Sequence, residues 1–323
     1  MAFKYLNPGY GSWLGDSDVV TIENNFTYNP EHGVSFQKVA TNTYNETRIP
    51  LPQAFTSDIY GKFNLYYDYG NSQIRYFALG ATVANSNDYF YNNCIGIRIN
   101  NNIIQLASGR GSITDGSSYG IYYNVTTLNQ IQFHVHIGDS ASTSYGKIIV
   151  NDREFYGTNA SSIANFSSAK YFSINFLTSS NHGDKLYISE LMISDEPISP
   201  KERIIILPTT STDTDMSAGE SGIFIANAAN QTLLQGVDTS MFSAEYGADS
   251  KVTSVALHAS PAYKTATGLA SLIGISKSGG SVAEHNTFDL STDTGASVQD
   301  SWTFDDMTIG DLQNMQFGWQ AGT

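Results

Sequence analysis

The stretch KLYISELMISDEPISPKERIIILP, Lys185 to Pro208, begins as an alternating run and then loses its period. On an extended chain, Leu186, Ile188 and Glu190 fall on one face and Tyr187, Ser189 and Leu191 on the other. An Asp-Glu-Pro step, a second proline and a charged step follow. A solid apolar run, Ile204 to Leu207, then ends at Pro208. The pattern reads as a closing strand, a broken turn and a buried segment, so one β-module ends here and another begins.

Two compositional shifts fall at the same place. Of 40 aromatic residues, 31 lie in residues 1–205 and nine after them. The first part carries 13 basic and 17 acidic residues, the remainder 3 and 13. The segment PTTSTDTDMSAGES, residues 208–221, is polar and aperiodic, and is expected to link modules 1–207 and 222–323.

Short alternating runs fill the first module: GKFNLYYDYG, IRYFALGATV, NNCIGIRINN, IQFHVHIGD, GKIIVNDREF, YFSINFLTS and KLYISELMIS. At least ten such runs in about 200 residues point to an antiparallel sandwich or barrel. GKIIVNDREFYG is expected to be a hairpin turning at Asn151-Asp152. The second module reads as a small β-unit through SGIFIANA, KVTSVALHAS and LASLIGIS. Its one helix signal is MTIGDLQNMQFG, where Thr308 and Asp311 form a capping-box start and Ile309, Leu312 and Met315 an apolar stripe. The strand-like QFGWQ follows it.

At 323 residues the chain is long enough for two cores. Apolar residues make up 41% and charged ones 14%, so amides and hydroxyls rather than charge make the surface polar. A net charge of −14 argues against nucleic acid as a partner. The single cysteine, Cys94, leaves no internal disulfide and reads as a small buried hydrophobe. MAFKYLNPGYGSW lacks the apolar run of a signal peptide, and no window approaches a membrane span, so no membrane insertion is expected. Six Asn-x-Ser/Thr sequons, at Asn25, Asn45, Asn124, Asn159, Asn165 and Asn230, match the number expected by chance from 26 Asn and 66 Ser plus Thr.

LYISELMISDEPISPKER, with Ile-Ser before a hydrophobic pair and Asp-Glu-Pro after it, resembles the closing strand of concanavalin A-like, laminin G-like jelly rolls. That resemblance implies an all-β sandwich whose first and last strands are neighbours, followed here by a smaller β-module with one short helix. SWTFDDMTIGDLQNMQFGWQAGT, residues 301–323, resembles the end of certain tailed-bacteriophage structural proteins. The matching positions are Trp302, Leu312, Phe317 and Gly318, although Trp302 lies six residues before Thr308 rather than beside the cap. These read as packing and capping positions.

The phage resemblance implies a virion appendage, a tail fibre or capsid decoration, assembled in the host cytoplasm and displayed on the virion surface. Its partners would be other virion proteins, sister copies in a homo-oligomer, and a cell-surface glycan. The alternative is a polysaccharide-degrading hydrolase or lyase of the same fold. Retaining hydrolysis needs two carboxylates about 5–5.5 Å apart. The family supplies them through a Glu-x-Asp-x-Glu strand, and no such triple occurs in this sequence. Asp195-Glu196 are adjacent and belong to a turn, so no catalytic residues and no enzyme activity are expected.

No cofactor is required by any motif. Laminin G-like sandwiches hold calcium with Asp and backbone oxygens, which makes Asp16, Asp18 and Asp184 the candidates here. His134 and His136 share one strand face, a geometry that suits zinc, but the sequence indicates no third ligand. Sugar recognition needs flat aromatic faces beside hydrogen-bonding groups. Residues 84–93 offer Asn87, Asp88, Tyr89 and Tyr91, and residues 118–124 offer Tyr119, Tyr122 and Asn124.

Overall fold

The computed structural model describes residues 3–7, 14–15, 20–23, 35–39, 45–68, 75–80, 94–100, 103–108, 111–112, 121–122, 127–140, 142–157, 169–176, 185–205, 207–219, 223–264, 268–290 and 296–323. The chain forms two compact units, Phe3–Ile205 and a second running from Ile206 to Thr323.

The first unit begins with β1 (Phe3–Asn7), β2 (Leu14–Gly15), β3 (Val20–Glu23), β4 (Ser35–Val39), β5 (Asn45–Phe55) and β6 (Asp58–Asp68). It continues through β7 (Arg75–Gly80), β8 (Cys94–Asn100), β9 (Ile103–Ser108), β10 (Gly111–Ser112) and β11 (Ile121–Tyr122). It closes with β12 (Asn129–His136), β13 (Tyr145–Val150), β14 (Arg153–Gly157), β15 (Ala169–Phe176) and β16 (Lys185–Ser194). All seven alternating runs named above carry these strands.

One antiparallel sheet has the order β14-β13-β12-β6-β16-β4-β3, and the other β10-β9-β8-β7-β15-β5-β2 with β11 beside β9. β1 pairs with the end of β16, Phe3 opposite Ser194 and Asn7 opposite Leu191, so the first and last strands are neighbours as a jelly roll requires. The inward residues Ile59, Phe63 and Leu65 of β6, Ile131 and Val135 of β12, and Ile148 and Val150 of β13 are all fully buried. Each such side chain stabilises the fold by about 1.5–3 kcal/mol. Phe63 meets Phe172 of β15 edge-on with centroids 6.2 Å apart, so the two sheets pack face to face.

One glycine is required by this packing. The Phe133 ring lies across Gly61, its partner on β6, where an added Cβ would sit 2.0 Å from the ring. The expected hairpin is present. Val150 pairs with Arg153, and Asn151 and Asp152 have φ of 45° and 70°, the left-handed pair of a type I′ turn.

The closing strand departs from simple alternation. Its register against β6 shifts between Ser189 and Met192, where one extra residue bulges out and Glu190 takes a φ of 52°. The two faces read from the sequence therefore hold only as far as Ser189, and Glu190 through Ile193 are all buried. Beyond the strand, Ile204 and Ile205 are half-buried rather than buried, and they form no strand.

The second unit holds β17 (Thr209–Thr214), β18 (Ser217–Ala218), β19 (Phe224–Ile225), β20 (Thr232–Val237), β21 (Ser254–Ala262), β22 (Ser271–Ser278), β23 (Ser281–Asp289), β24 (Ala296–Thr303) and β25 (Met315–Gly322). A five-stranded sheet runs β17-β20-β25-β22-β23, with two-stranded pairs β18-β19 and β21-β24. Residues 208–221, whose composition suggests a connector, hold β17 and β18. β17 is an edge strand with its first five residues exposed, so it needs no apolar period.

Among the described residues of this unit there are two short helices, not one. α1 (Ser240–Tyr246) buries Phe242 and has no repeating apolar stripe to announce it. α2 (Ile309–Leu312) is the expected one: the Thr308 hydroxyl accepts from the Asp311 N–H, and the Asp311 carboxylate accepts from the Thr308 N–H at 2.9 Å. Leu312, Met315 and Phe317 form one buried cluster against Trp302, which gives those matching positions a packing role. Gly318 is needed because a Cβ there would lie 1.7 Å from the Leu233 carbonyl oxygen.

Candidate functional site

The outward face of β6, β12 and β13 carries the chemistry. Alternation in NQIQFHVH turns Asn129, Ile131, Phe133 and Val135 inward and leaves Gln130, Gln132, His134 and His136 on the other side. Alternation in YGKIIV does the same for Tyr145, Lys147 and Ile149. Register then sets the rows. His136 faces Asp58 on one side and Tyr145 on the other, while His134 faces Tyr60 and Lys147.

A single carboxylate oxygen organises this face. Asp58 Oδ1 accepts from His134 Nε2–H at 2.8 Å and from His136 Nδ1–H at 2.9 Å. An ionised carboxylate only accepts, so it selects opposite tautomers in the two rings. The rings stack in a ladder. Tyr60 lies flat on His134 with centroids 4.0 Å apart, and Tyr145 meets His134 edge-on and stacks on His136 at 5.0 Å. The two imidazoles keep 16% and 29% of their side-chain surface and Asp58 keeps 33%, so the row is wet.

The charges follow from this geometry. Burial pushes the Asp58 carboxyl up, but the hydrogen bonds and charges of the two imidazoles outweigh it and hold the group below its usual value. Burial lowers His134 despite its bond to Asp58. Tyr60 is raised by burial and by the neighbouring Asp58 charge. Lys147 forms an ion pair at 2.7 Å with Glu154 of β14.

The same face changes character one row further along β6. Lys62, next to Gln132, is fully buried beneath the segment after β16. Its ammonium donates to the carbonyls of Ser199 (3.4 Å), Pro200 (2.9 Å) and Glu202. Burial lowers it to about 8. Beside it Asn64 donates to Glu190 Oε2 at 2.9 Å, and burial pushes the Glu190 carboxyl up. This cluster pins the Ser199–Arg203 strap onto the sheet, which explains why a proline-broken, charged segment follows the closing strand.

Sequence reasoning found His134 and His136 but not Asp58, their partner 76 residues away. Among the described residues no group of three His, Cys, Asp or Glu is arranged to hold a metal ion. The calcium candidates Asp16, Asp18 and Asp184, and the sugar candidates Asn87, Asp88, Tyr89, Tyr91 and Tyr119, lie outside the described residues, as does Asn124. Tyr122 belongs to β11, where it pairs with Ile103 in the other sheet. Asp195 and Glu196 are exposed in the turn after β16, where the Glu196 N–H donates to Ser194 Oγ at 3.0 Å.

No protein-family model and no curated protein matches the sequence. Solved structures similar to the chain include the cellulose-induced protein Cip1, at 9% identity over 60% of this chain and 91% of that one, with a TM-score of 0.39. Another is the metal-free lectin I-B4 from Griffonia simplicifolia, at 11% identity over 59% and 98%, TM-score 0.37. A third is the catalytic domain of a GH131 β-glucanase from Podospora anserina, at 12% identity over 59% and 87%, TM-score 0.38.

Proposed function

We propose that the sandwich binds glycan through the open face around Asp58, Tyr60, Gln132, His134, His136 and Tyr145. The observation that carries this reading is the half-exposed ring ladder set beside a carboxylate and two glutamine amides on one sheet face. Rings offer flat contact for the C–H faces of a pyranose, and the carboxylate and amides take its hydroxyls. Weak single sites gain by repetition, so the reading includes a homo-oligomer acting through avidity. We further propose that the chain is a virion surface component, a tail fibre or capsid decoration of a phage-like particle, with other virion proteins as partners. The resemblance of residues 301–323 and the amide- and hydroxyl-rich composition support this part. Asn87, Asp88, Tyr89, Tyr91, Tyr119 and Tyr122 are proposed as additional sugar contacts, and Asp16, Asp18 and Asp184 as the calcium ligands.

A glycan array probed with the full chain tests the binding, with Tyr145→Ala as the control variant. Saccharide binding that the variant loses supports the site, and binding that the variant retains removes it. Immunogold labelling of particles from the source culture tests the second part, with regular label at one place on the particle as the expected result. Polysaccharide cleavage is a second reading, favoured by the bond from His136 Nδ1 to Asp58, which orients Nε2 as a base. Release of reducing ends or unsaturated products would establish it.

A further inference from the structure

The charge layout of the open face selects among glycans. Asp58 stands at its centre, one third exposed, with both imidazoles directed at a single oxygen. Two described cations of this face are already engaged. Lys147 is held by Glu154 at 2.7 Å, and Lys62 is enclosed by the carbonyls of Ser199, Pro200 and Glu202. Burial of His134 favours its neutral form at pH 7. An arriving carboxylate or sulfate would therefore meet an ionised Asp58 with no unpaired cation among these groups to receive it. A sugar hydroxyl, in contrast, can donate to Asp58, and another hydroxyl of the same saccharide chain, further along the strand, can accept from the Gln132 amide.

From this juxtaposition of Asp58, its two imidazoles and the Lys147–Glu154 pair, we propose that the site takes uncharged saccharides and rejects acidic ones, such as uronates, sialates and sulfated sugars. This inference rests on the glycan-binding reading above and adds the ligand class. Like charges about 5 Å apart near a protein surface separate the two classes by about tenfold or more in affinity.

The test is a titration of the full chain with matched oligosaccharide pairs that differ only in a neutral hexose against its uronate, at pH 7.5 and low ionic strength. The neutral member is expected to bind at least about tenfold more tightly, with the gap narrowing as salt is added. Glu154→Gln, an exposed substitution, frees the Lys147 ammonium and is expected to narrow the gap from the acidic side. Asp58→Asn is expected to close it further, provided its thermal unfolding shows a folded protein. Equal or tighter binding of the acidic member by the unsubstituted chain overturns the selectivity while leaving glycan binding intact. Failure of both members, and of every other saccharide on the array, overturns the binding reading and the selectivity with it.

Discussion

Two halves of one sheet face treat charge in opposite ways. Under the strap, Lys62, Asn64 and Glu190 are removed from water, the Lys62 ammonium donating to strap carbonyls and the Asn64 amide to the Glu190 carboxyl. One to two rows along the same strands, Asp58, His134 and His136 form an equally specific cluster but stay half in solvent. A buried ion that loses its partner is costly, so the covered half holds the chain in place. Exposed pairs contribute little to stability and remain free to exchange partners, so the open half is where a ligand can act.

Breaking the covered half should have the largest effect. Lys62→Met removes the donor for three carbonyls and one of the two cations, with Arg203, that act on Glu190, and is expected to cost about 3 kcal/mol in urea unfolding. A loss below about 1 kcal/mol would show that the strap is held by other contacts. Next comes the inward side of the same strand. Gly61→Ala places a methyl against the Phe133 ring and should cost about 1–3 kcal/mol, read as a lowered denaturation midpoint with an unchanged slope. An unchanged midpoint would mean the ring moves aside freely.

The open half should invert this ranking. Tyr145→Ala is expected to change stability by less than about 1 kcal/mol while reducing saccharide affinity about tenfold. Large unfolding with unchanged binding would reverse the roles given to the two halves.

Acid gives the smallest and most gradual effect. Burial lowers His134 from its ordinary 6.5, so the folded state favours the neutral ring. Its contribution is complete above about pH 6.5 and is lost as the pH falls from there toward the lower folded value. Asp58, held below 3.8 by its imidazoles against the effect of burial, adds a contribution present above 3.8 and lost as the pH falls through its folded value. In thermal melts from pH 8 to 4 the stability difference between the unsubstituted chain and His134→Gln should therefore shrink below 6.5, while the buried Glu190 carboxyl, pushed up by burial, acts in the opposite direction in both chains. A difference that grows on acidification through this range would contradict the assignment.

What the sequence made legible was local. Period-two runs, the Asn151-Asp152 turn and the Thr308 capping box each specify their structure within a few residues, and each is present. The candidate site was half legible for the same reason. His134 and His136 sit two residues apart on one face, whereas Asp58 and Tyr145 reach them through strand pairing, which no local pattern encodes. The bulge at Glu190 escaped notice because one added residue leaves no compositional mark, yet it shifts every later side chain of β16. β17 and α1 were missed because an exposed edge strand and a seven-residue helix need little apolar periodicity.

The pairing of β1 with β16 carries a mechanical consequence. The two strands run antiparallel with Phe3 opposite Ser194, so the chain enters β1 and leaves β16 at the same end of that pair. Tension between these points loads the backbone hydrogen bonds one after another, as a zipper opens, instead of shearing them together. Force between the open face and Ser194 travels instead through β12, β6 and β16, where β6 is gripped on both flanks. A sandwich tethered through Ser194 and pulled by its ligand is thus loaded along its strong direction, while one stretched from both of its own ends peels apart.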